Sequence, residues 1–145
     1  MFIQSFETAN LRWARTRTRL KLVQLIEEKG SSADAVAAGE RLSYAEMITA
    51  EGLRTIATYA DGIGPSKNLV LPLGADGSLG AATLLVPDAH AAGLFVHVWT
   101  LRADREFLPA AYGGDFAAEV RRLVALGVDG FFTDFPDLAV RALGR

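Results

Sequence analysis

Residues 94–100 read Leu-Phe-Val-His-Val-Trp-Thr and form the clearest strand pattern in the chain. Side chains alternate between the two faces of a strand, so one face here is entirely aliphatic and the other carries Phe95, His97 and Trp99. An aliphatic face packs well against helices. The pattern therefore predicts that the imidazole and the indole point to the opposite, inner face of a sheet, with His97 in an inner layer and Trp99 at the rim.

Strands and helices alternate along the rest of the chain. Hydrophobic patterning predicts further strands at residues 2–6, 21–26 and 128–133, and helices near Leu11 and over residues 43–59, 83–92, 115–126 and 136–143. Ser43 and Glu46 have the spacing of a capping box, and Gly52 is expected to divide the helical segment that follows. Residues 30–34 are expected to interrupt regular structure. Residues 60–65, Ala-Asp-Gly-Ile-Gly-Pro, must be a strand end or a tight loop.

This alternation predicts an α/β fold with a parallel sheet and helical crossovers. An open doubly wound sheet and part of a (β/α)₈ barrel both satisfy it. No strand is followed by the Gly-x-Gly-x-x-Gly fingerprint of dinucleotide-binding folds, which favours the barrel. A complete barrel takes about 250 residues, whereas this chain supplies about four strands, or five if residues 61–63 count. The predicted fold is therefore a partial (β/α)₈ TIM barrel.

Composition limits the possible classes of function. The chain has 145 residues, 50% of them hydrophobic, and a formal net charge of −2, which is typical of one folded domain. It has no cysteine, which excludes disulfides, thiolate zinc sites and a cysteine nucleophile. The 15 basic residues are balanced by 17 acidic ones, so no nucleic-acid partner is expected. The basic run from Arg12 to Lys21 is interpreted as a solvated helix and turn. No transmembrane segment or signal peptide is recognised, and localisation stays unknown.

In a barrel of this type, the active site lies at the carboxyl ends of the strands. Polar and aromatic residues of both charge signs occupy the predicted positions, which suits a small anionic substrate. They are Phe6, Glu7, Glu27, Glu28, Asp61, Gly64, Lys67, Trp99, Thr100, Arg102, Thr133 and Asp134.

Several of these positions have two interpretations. His97 is either a hydrogen-bonded core histidine or part of the pocket wall, and an inward histidine is expected to have a polar partner. Trp99 either packs at the rim or borders substrate. Lys67 either pairs with a phosphate or is a solvated loop lysine. Asp134 either steadies the N-terminus of the last helix or takes part in catalysis.

Four segments resemble one enzyme family in order and spacing. They are FIQSFE (2–7), YADGIGPSK (59–67), DAHAAGLFVHVWT (88–100) and GVDGFFTDFPDLAV (127–140). Together they resemble the C-terminal half of a glycerophosphodiester phosphodiesterase. The resemblance implies that residues 1–145 are the C-terminal portion of its TIM-barrel domain, roughly the last four β/α units. It also implies a hydrolase of glycerol and lipid metabolism, which converts glycerophosphodiesters to glycerol 3-phosphate and an alcohol.

The resemblance also assigns roles to individual residues. By position, Phe6 and Trp99 resemble the aromatic residues that border the glycerol-phosphate site, and His97 resembles the inward residue two places below the rim. Together with Lys67, they are the predicted substrate-binding residues. Members of the family use a divalent cation, Ca²⁺ or Mg²⁺, and a pair of catalytic histidines.

The motifs that carry catalysis in this family have no counterpart in the chain. These are a His-Arg-Gly block, a Glu-x-Asp metal pair, a second histidine and a Glu-x-Lys, all of which precede the matched segments in relatives. No catalytic residue and no metal ligand is therefore assigned, and the chain alone is expected to be inactive. Its expected partner is a missing N-terminal half or a second copy. A non-catalytic half-barrel and a degenerate relative remain alternatives, and relatives of this branch are often periplasmic or secreted.

Overall fold

A computed structural model describes residues 1–40 and 42–144. Its centre is a parallel sheet in which every strand pairs with the next one along the chain. The five strands are β1 (Phe2–Ser5), β2 (Lys21–Ile26), β3 (Gly62–Pro65), β4 (Phe95–Leu101) and β5 (Gly130–Thr133). A doubly wound sheet reverses its strand order, whereas a barrel wall keeps chain order. The structure therefore confirms the partial (β/α)₈ barrel.

The helices follow the strands and cover one face of the sheet. Those of the described residues are α1 (Thr8–Arg15), α2 (Ala33–Ala38), α3 (Tyr44–Met47), α4 (Ala50–Ile56), α5 (Lys67–Val70), α6 (Leu85–Ala91), α7 (Phe116–Ala125) and α8 (Pro136–Ala142). A 3₁₀ turn, Ala110–Tyr112, precedes α7. The hydrophobic core lies between these helices and the outer face of the sheet.

The alternation expected for β4 is present. Leu94, Val96 and Val98 are fully buried in the core on the helical side. Phe95 and His97 turn to the inner face, where both rings meet Phe2 of β1. Strands three places apart in a flat sheet are about 14 Å apart, yet the ring centroids of Phe2 and His97 are 5.0 Å apart. The sheet therefore curves into a concave wall.

Strand β3 raises the count of strands from about four to five. It falls in the segment that the sequence left as a strand end or a tight loop, and it pairs with both β2 and β4. Gly62 and Gly64 belong to it because the concave face is crowded: a Cβ at Gly62 would lie 2.4 Å from the Phe95 ring, and one at Gly64 would lie 2.6 Å from Leu25. Glycine here provides space for neighbouring side chains in a strand.

The helices differ from the prediction in where the segment 43–59 divides and in two additional short helices. The division of the helical segment falls at residues 48–49, because Thr49 is the N-cap of α4 and accepts a hydrogen bond from Gly52 N–H. Gly52 lies inside α4, where a Cβ would approach the carbonyl oxygen of Glu46 to 2.2 Å. Short helices α2 and α5 were not expected. The capping box is confirmed, since Ser43 and Glu46 exchange hydrogen bonds at the start of α3.

Candidate functional site

A cavity of about 410 Å³ opens on the concave face at the carboxyl ends of the strands. Its lining combines aromatic, aliphatic and a few polar side chains. They are Gln4, Phe6, Leu25, Glu27, Trp99, Thr100 and Phe132. This is the end of the sheet at which barrel enzymes bind their substrates, so we treat it as the candidate site.

Phe6 and Trp99 form the aromatic wall of this cavity. Their ring centroids lie 6.0 Å apart and the planes are almost perpendicular, at 86°. Edge-to-face contact of this kind is the favoured arrangement for aromatic pairs. Phe6 also meets Tyr44 of α3 edge-on, at 6.3 Å. The two rings come from β4 and from the end of β1, so the curvature of the sheet brings them together.

A hydrogen bond to the neighbouring strand orients the Trp99 indole. Its Nε1–H donates to the carbonyl oxygen of Gly64 in β3, at 2.7 Å, and a parallel bridge joins Trp99 to Ser66 just beyond. The polar edge of the indole is thereby occupied. Its apolar surface remains for contact with a ligand.

A buried glutamine holds the end of β1 beside the cavity. Gln24 of β2 is fully buried, and its side-chain amide donates to the carbonyl oxygens of Phe6, at 2.9 Å, and of Leu25, at 3.0 Å. Its Oε1 accepts a hydrogen bond from the Tyr59 hydroxyl at 2.9 Å. These contacts set the position at which the chain leaves β1, and so the position of the Phe6 ring.

His97 lies one layer below the cavity, where its ring contacts aromatic neighbours. The ring centroids of Phe2 and Phe95 are 5.0 and 4.5 Å away. Its other neighbour is Gly130, where a Cβ would lie 2.8 Å from the imidazole. Burial lowers the pKa of His97, and the opposing charge of Asp129 does not offset this. The expected polar partner is not found among residues 1–40 and 42–144, and aromatic rings surround the imidazole instead.

The structure does not bring Lys67 into the cavity. Its ammonium group pairs with the Glu119 carboxylate of α7, with Nζ and Oε1 2.6 Å apart. Of the predicted substrate-binding residues, the fold therefore places Phe6 and Trp99 on the cavity wall, His97 below it and Lys67 outside it.

Several other charged positions at the rim have hydrogen-bond or ion-pair partners. Glu7 and Asp34 cap each other's helices, since Asp34 N–H donates to Glu7 and Ala9 N–H donates to Asp34. Asp134 lies 3.3 Å from Arg102 and does not cap α8. Glu27 alone among the acidic residues lines the cavity.

Asp61 corrects the list of expected rim residues. It precedes β3, so it lies at the opposite end of the sheet from the cavity. There its carboxylate accepts hydrogen bonds from Leu22 N–H at 2.9 Å, from Lys21 at 2.9 Å and from Arg15. The assignment was wrong because Asp61 was taken to follow a strand, whereas it lies directly before β3.

Three lining residues were missed by the sequence interpretation. They are Gln4, Leu25 and Phe132. The same period of two that places Phe95, His97 and Trp99 on one face would have found them, since Gln4 is two residues before Phe6 and Leu25 is two before Glu27. Only positions at or just past the predicted strand ends were taken as candidates, whereas Gln4, Leu25 and Phe132 lie before those ends.

The residues of this cavity do not make a cation site. Ca²⁺ and Mg²⁺ need several oxygen ligands, and Glu27 is the one carboxylate in the lining. Throughout the part of the chain that the structure describes, no three His, Asp or Glu side chains come together as a metal site requires. A cation at this end of the sheet would need ligands from elsewhere.

A larger cavity, of about 640 Å³, lies on the outer surface beside α3 and α4. Its lining includes Arg12, whose guanidinium stacks on the Tyr59 ring at 4.5 Å, and three glutamates, Glu40, Glu46 and Glu51. It is lined by helices and loops and not by the carboxyl ends of the strands, so its size alone does not make it the functional site. No helix within residues 1–40 and 42–144 has the length and apolar character needed to cross a membrane.

Comparison with known proteins identifies relatives along nearly the whole chain. The model of the glycerophosphoryl diester phosphodiesterase family matches residues 1–138. A glycerophosphodiester phosphodiesterase of Arabidopsis thaliana is 33% identical over 136 residues, covering 93% of this chain and 35% of the relative. One from Treponema pallidum is 32% identical over 110 residues, covering 71% of this chain and 29% of the relative. The chain thus spans about a third of the length of these proteins.

Solved structures show the same fold at lower sequence identity. A protein from Silicibacter pomeroyi, provisionally named a glycerophosphoryl diester phosphodiesterase, superposes with a TM-score of 0.60 at 23% identity, over 98% of this chain and 37% of its own. A protein from Agrobacterium tumefaciens with the same provisional name has a TM-score of 0.58 at 18% identity, over 95% and 41%. These likenesses support the partial barrel.

Proposed function

Because the chain belongs to the glycerophosphoryl diester phosphodiesterase family, we propose that it forms one side of the substrate pocket of a phosphoric diester hydrolase. The reaction is hydrolysis of a glycerophosphodiester to glycerol 3-phosphate and an alcohol. The observation that carries this proposal is the aromatic wall of Phe6 and Trp99 at the carboxyl ends of the strands.

In this proposal the chain corresponds to the C-terminal portion of the barrel and binds substrate without performing the chemistry. Phe6 and the apolar surface of Trp99 contact the carbon skeleton of the glycerol or alcohol group. His97 supports the wall from below as a neutral ring. Lys67 is not assigned to the phosphate, because its ammonium group already pairs with Glu119.

The general acid, the general base and the ligands of the divalent cation come, in this proposal, from further strands of the barrel. Two features support this division of labour. The described residues bring together no set of metal-ligating side chains, and among those residues no strand pairs with the outer edge of β1 or β5. The partner is therefore a segment that adds strands to these edges.

Activity measurements test the division of labour. The chain is purified alone and also co-expressed with a segment from a full-length relative that carries its remaining strands. Release of glycerol 3-phosphate from glycerophosphocholine is measured with Ca²⁺ or Mg²⁺. We expect turnover only in the co-expressed sample. Turnover by the chain alone would contradict the assignment of catalysis to the other segment.

A variant then tests the wall in the co-expressed sample. Phe6→Leu removes one ring of the pair and is expected to raise KM with a smaller change in kcat, because Phe6 contacts substrate away from the reacting atoms. The control is Val36→Ser on α2, an exposed position that does not line the cavity. Equal KM values for Phe6→Leu and the control would remove the support for substrate contact.

A second candidate function is a non-catalytic half-barrel that pairs with a second copy of itself. The observation that favours it is Phe2, which is 51% exposed on the concave face although it belongs to an aromatic cluster. Exposed apolar faces of this kind promote association. Sedimentation equilibrium of the chain alone, combined with the activity of the co-expressed sample, distinguishes the two candidate functions. A stable dimer of the chain and no turnover in the co-expressed sample would favour the non-catalytic half-barrel.

A further inference from the structure

Three polar side chains meet behind the end of β3, away from the candidate site. Lys67 begins α5, Glu119 lies in the first turn of α7, and Tyr112 ends the 3₁₀ turn before it. The Glu119 side chain is only 3% exposed, and one of its oxygens accepts a hydrogen bond from Lys67. This ion pair is the most buried in the described part of the chain.

Two atoms of this group have no hydrogen-bond partner among residues 1–40 and 42–144. They are the second carboxylate oxygen of Glu119, Oε2, and the hydroxyl oxygen of Tyr112, and both are sealed from the surrounding solvent. A buried polar atom without a partner costs about 1–3 kcal/mol. Two such atoms in one place, on otherwise well-packed elements, indicate that something satisfies both.

The same residues line one narrow cavity. Its volume is about 10 Å³, counted as the space open to the centre of a water molecule, and its lining includes Lys67, Tyr112 and Glu119. About this much space is the minimum for one water molecule. The remaining lining is largely apolar, with Leu71 and Leu123 among it. The cavity is too small for a larger ligand.

Electrostatics agree with a close approach of these groups. Burial raises the pKa of the Tyr112 phenol, and the nearby Glu119 carboxylate raises it further. Burial also raises the pKa of Glu119, although the hydrogen bond and charge of Lys67 act in the opposite direction. Burial therefore removes both groups from bulk solvent.

We propose that this cavity is a binding site for one internal water molecule, which donates a hydrogen bond to Glu119 Oε2 and accepts one from the Tyr112 hydroxyl. Buried waters usually make about three hydrogen bonds, and the Lys67 ammonium, with three N–H donors, supplies a third. The water links the start of α5 to α7 and the 3₁₀ turn.

The water site makes Lys67 part of the scaffold behind the pocket wall. Lys67 follows Ser66, and β3 carries the Gly64 carbonyl to which the Trp99 indole donates. Fixing α5 against α7 therefore steadies the strand end that orients Trp99. This inference does not depend on the proposed function, because it rests only on buried groups outside the cavity of the candidate site.

A crystal structure of the full chain tests the site directly. At a resolution that shows ordered waters, we expect one density peak in the cavity, within 3.2 Å of both Glu119 Oε2 and the Tyr112 hydroxyl. An empty cavity would overturn the inference. So would a direct hydrogen bond between Tyr112 and Glu119 that leaves no room for water.

Equilibrium unfolding gives an independent solution test with Tyr112→Phe. If the hydroxyl is bonded to water, its loss removes a buried hydrogen bond, and we expect the unfolding constant to rise by roughly fivefold to tenfold. If the hydroxyl is unpaired and dry, its removal lowers the unfolding constant and overturns the inference. The matched control is Tyr44→Phe, which removes a hydroxyl that bonds to no described residue and is not among the buried unpartnered atoms. The control should leave the unfolding constant unchanged.

Discussion

Two Asp-Gly pairs organise the end of the sheet opposite the cavity. Asp61 stands before β3 and accepts the amide hydrogen of Leu22 at the start of β2. Asp129 stands before β5 and in the same way accepts the amide hydrogen of Val96 near the start of β4, at 2.8 Å. Each carboxylate thus satisfies a donor on the neighbouring strand. These residues stabilise the barrel wall at its amino end.

The glycine of each pair makes room for a ring on the concave face. We expect Gly62→Ala to lower the free energy of unfolding by about 1–3 kcal/mol, because overpacking of this size forces neighbours to move. The added Cβ would lie 2.4 Å from the Phe95 ring. Urea unfolding measures the change. In the Phe95→Leu background, Gly62→Ala should cost less free energy of unfolding than it does in the wild-type chain. If Gly62→Ala costs the same in both backgrounds, the Phe95 ring is not the obstacle.

Asp61 should make the fold sensitive to acid. Burial alone would raise its pKa, but hydrogen bonds from Leu22 N–H, Lys21 and Arg15 outweigh burial and hold the pKa below its ordinary value of 3.8. A carboxyl with a lowered folded pKa stabilises the fold above its unfolded pKa, and this contribution is lost as pH falls through the folded value.

The corresponding variant is Asp61→Asn, measured by urea unfolding between about pH 3 and pH 7. We expect the wild-type chain to be more stable at pH 7 and the difference to narrow as pH falls below about 4. The asparagine does not titrate, so its curve lacks this acid-dependent contribution. Parallel stability curves over the whole range would contradict a role for ionised Asp61.

At the scale of elements, β3 and β4 are joined by a side chain as well as by their backbone ladder. The Trp99 indole donates to Gly64 at the point where the backbone register between the two strands has ended. Side-chain bonds from Gln24 similarly join the ends of β1 and β2. The strand ends that carry the site are therefore held by side-chain hydrogen bonds in addition to backbone pairs.

The variant Trp99→Phe tests the bond between β3 and β4. It keeps an aromatic ring but removes the N–H donor, and we expect the free energy of unfolding to fall by about 1 kcal/mol or more from the lost hydrogen bond and the smaller ring. Trp13→Phe is the control, because Trp13 is 61% exposed on α1. The melting temperatures of the two variants and of the wild-type chain are compared by thermal unfolding at matched scan rates. Equal melting temperatures would argue against a structural role for the indole bond.

The whole molecule is a curved sheet with helices on one side and a partly open concave face. That face presents Phe2, Phe95 and His97 without a covering layer among the described residues. An open parallel edge and an uncovered apolar face both favour association with another polypeptide. The proposed association with a further segment rests on these two features.

Association through the concave face predicts a specific effect of Phe2→Asp. A charge in the aromatic cluster should shift self-association, measured by sedimentation velocity, to higher protein concentration, because burying an unpaired charge is costly. Leu84→Asp is the matched control, since Leu84 is 71% exposed on the helical side. If the two variants behave alike, association does not involve the concave face.

The success of the sequence interpretation depended on how local the deciding interaction was. The faces of β4 and the capping box at Ser43 follow from the spacing of a few residues, and both are present in the structure. Strand β3 was ambiguous because two of its four residues are glycine. Glycine is needed at these positions because side chains from neighbouring strands occupy the space of a Cβ. Asp61 was misplaced for the same reason, since its partners come from α1 and β2.

The sequence by itself determined the alternation of strands and helices, the inward face of β4 and the resemblance to the family. These depend on the period of the side chains and on short motifs, and both can be recognised in the order of the residues without the tertiary structure. Only the tertiary structure decided that Phe6 and Trp99 form one wall and that Lys67 pairs with Glu119 outside it. The curvature of the sheet brings the first pair together and helix packing brings the second, and both arise from contacts between residues distant in sequence.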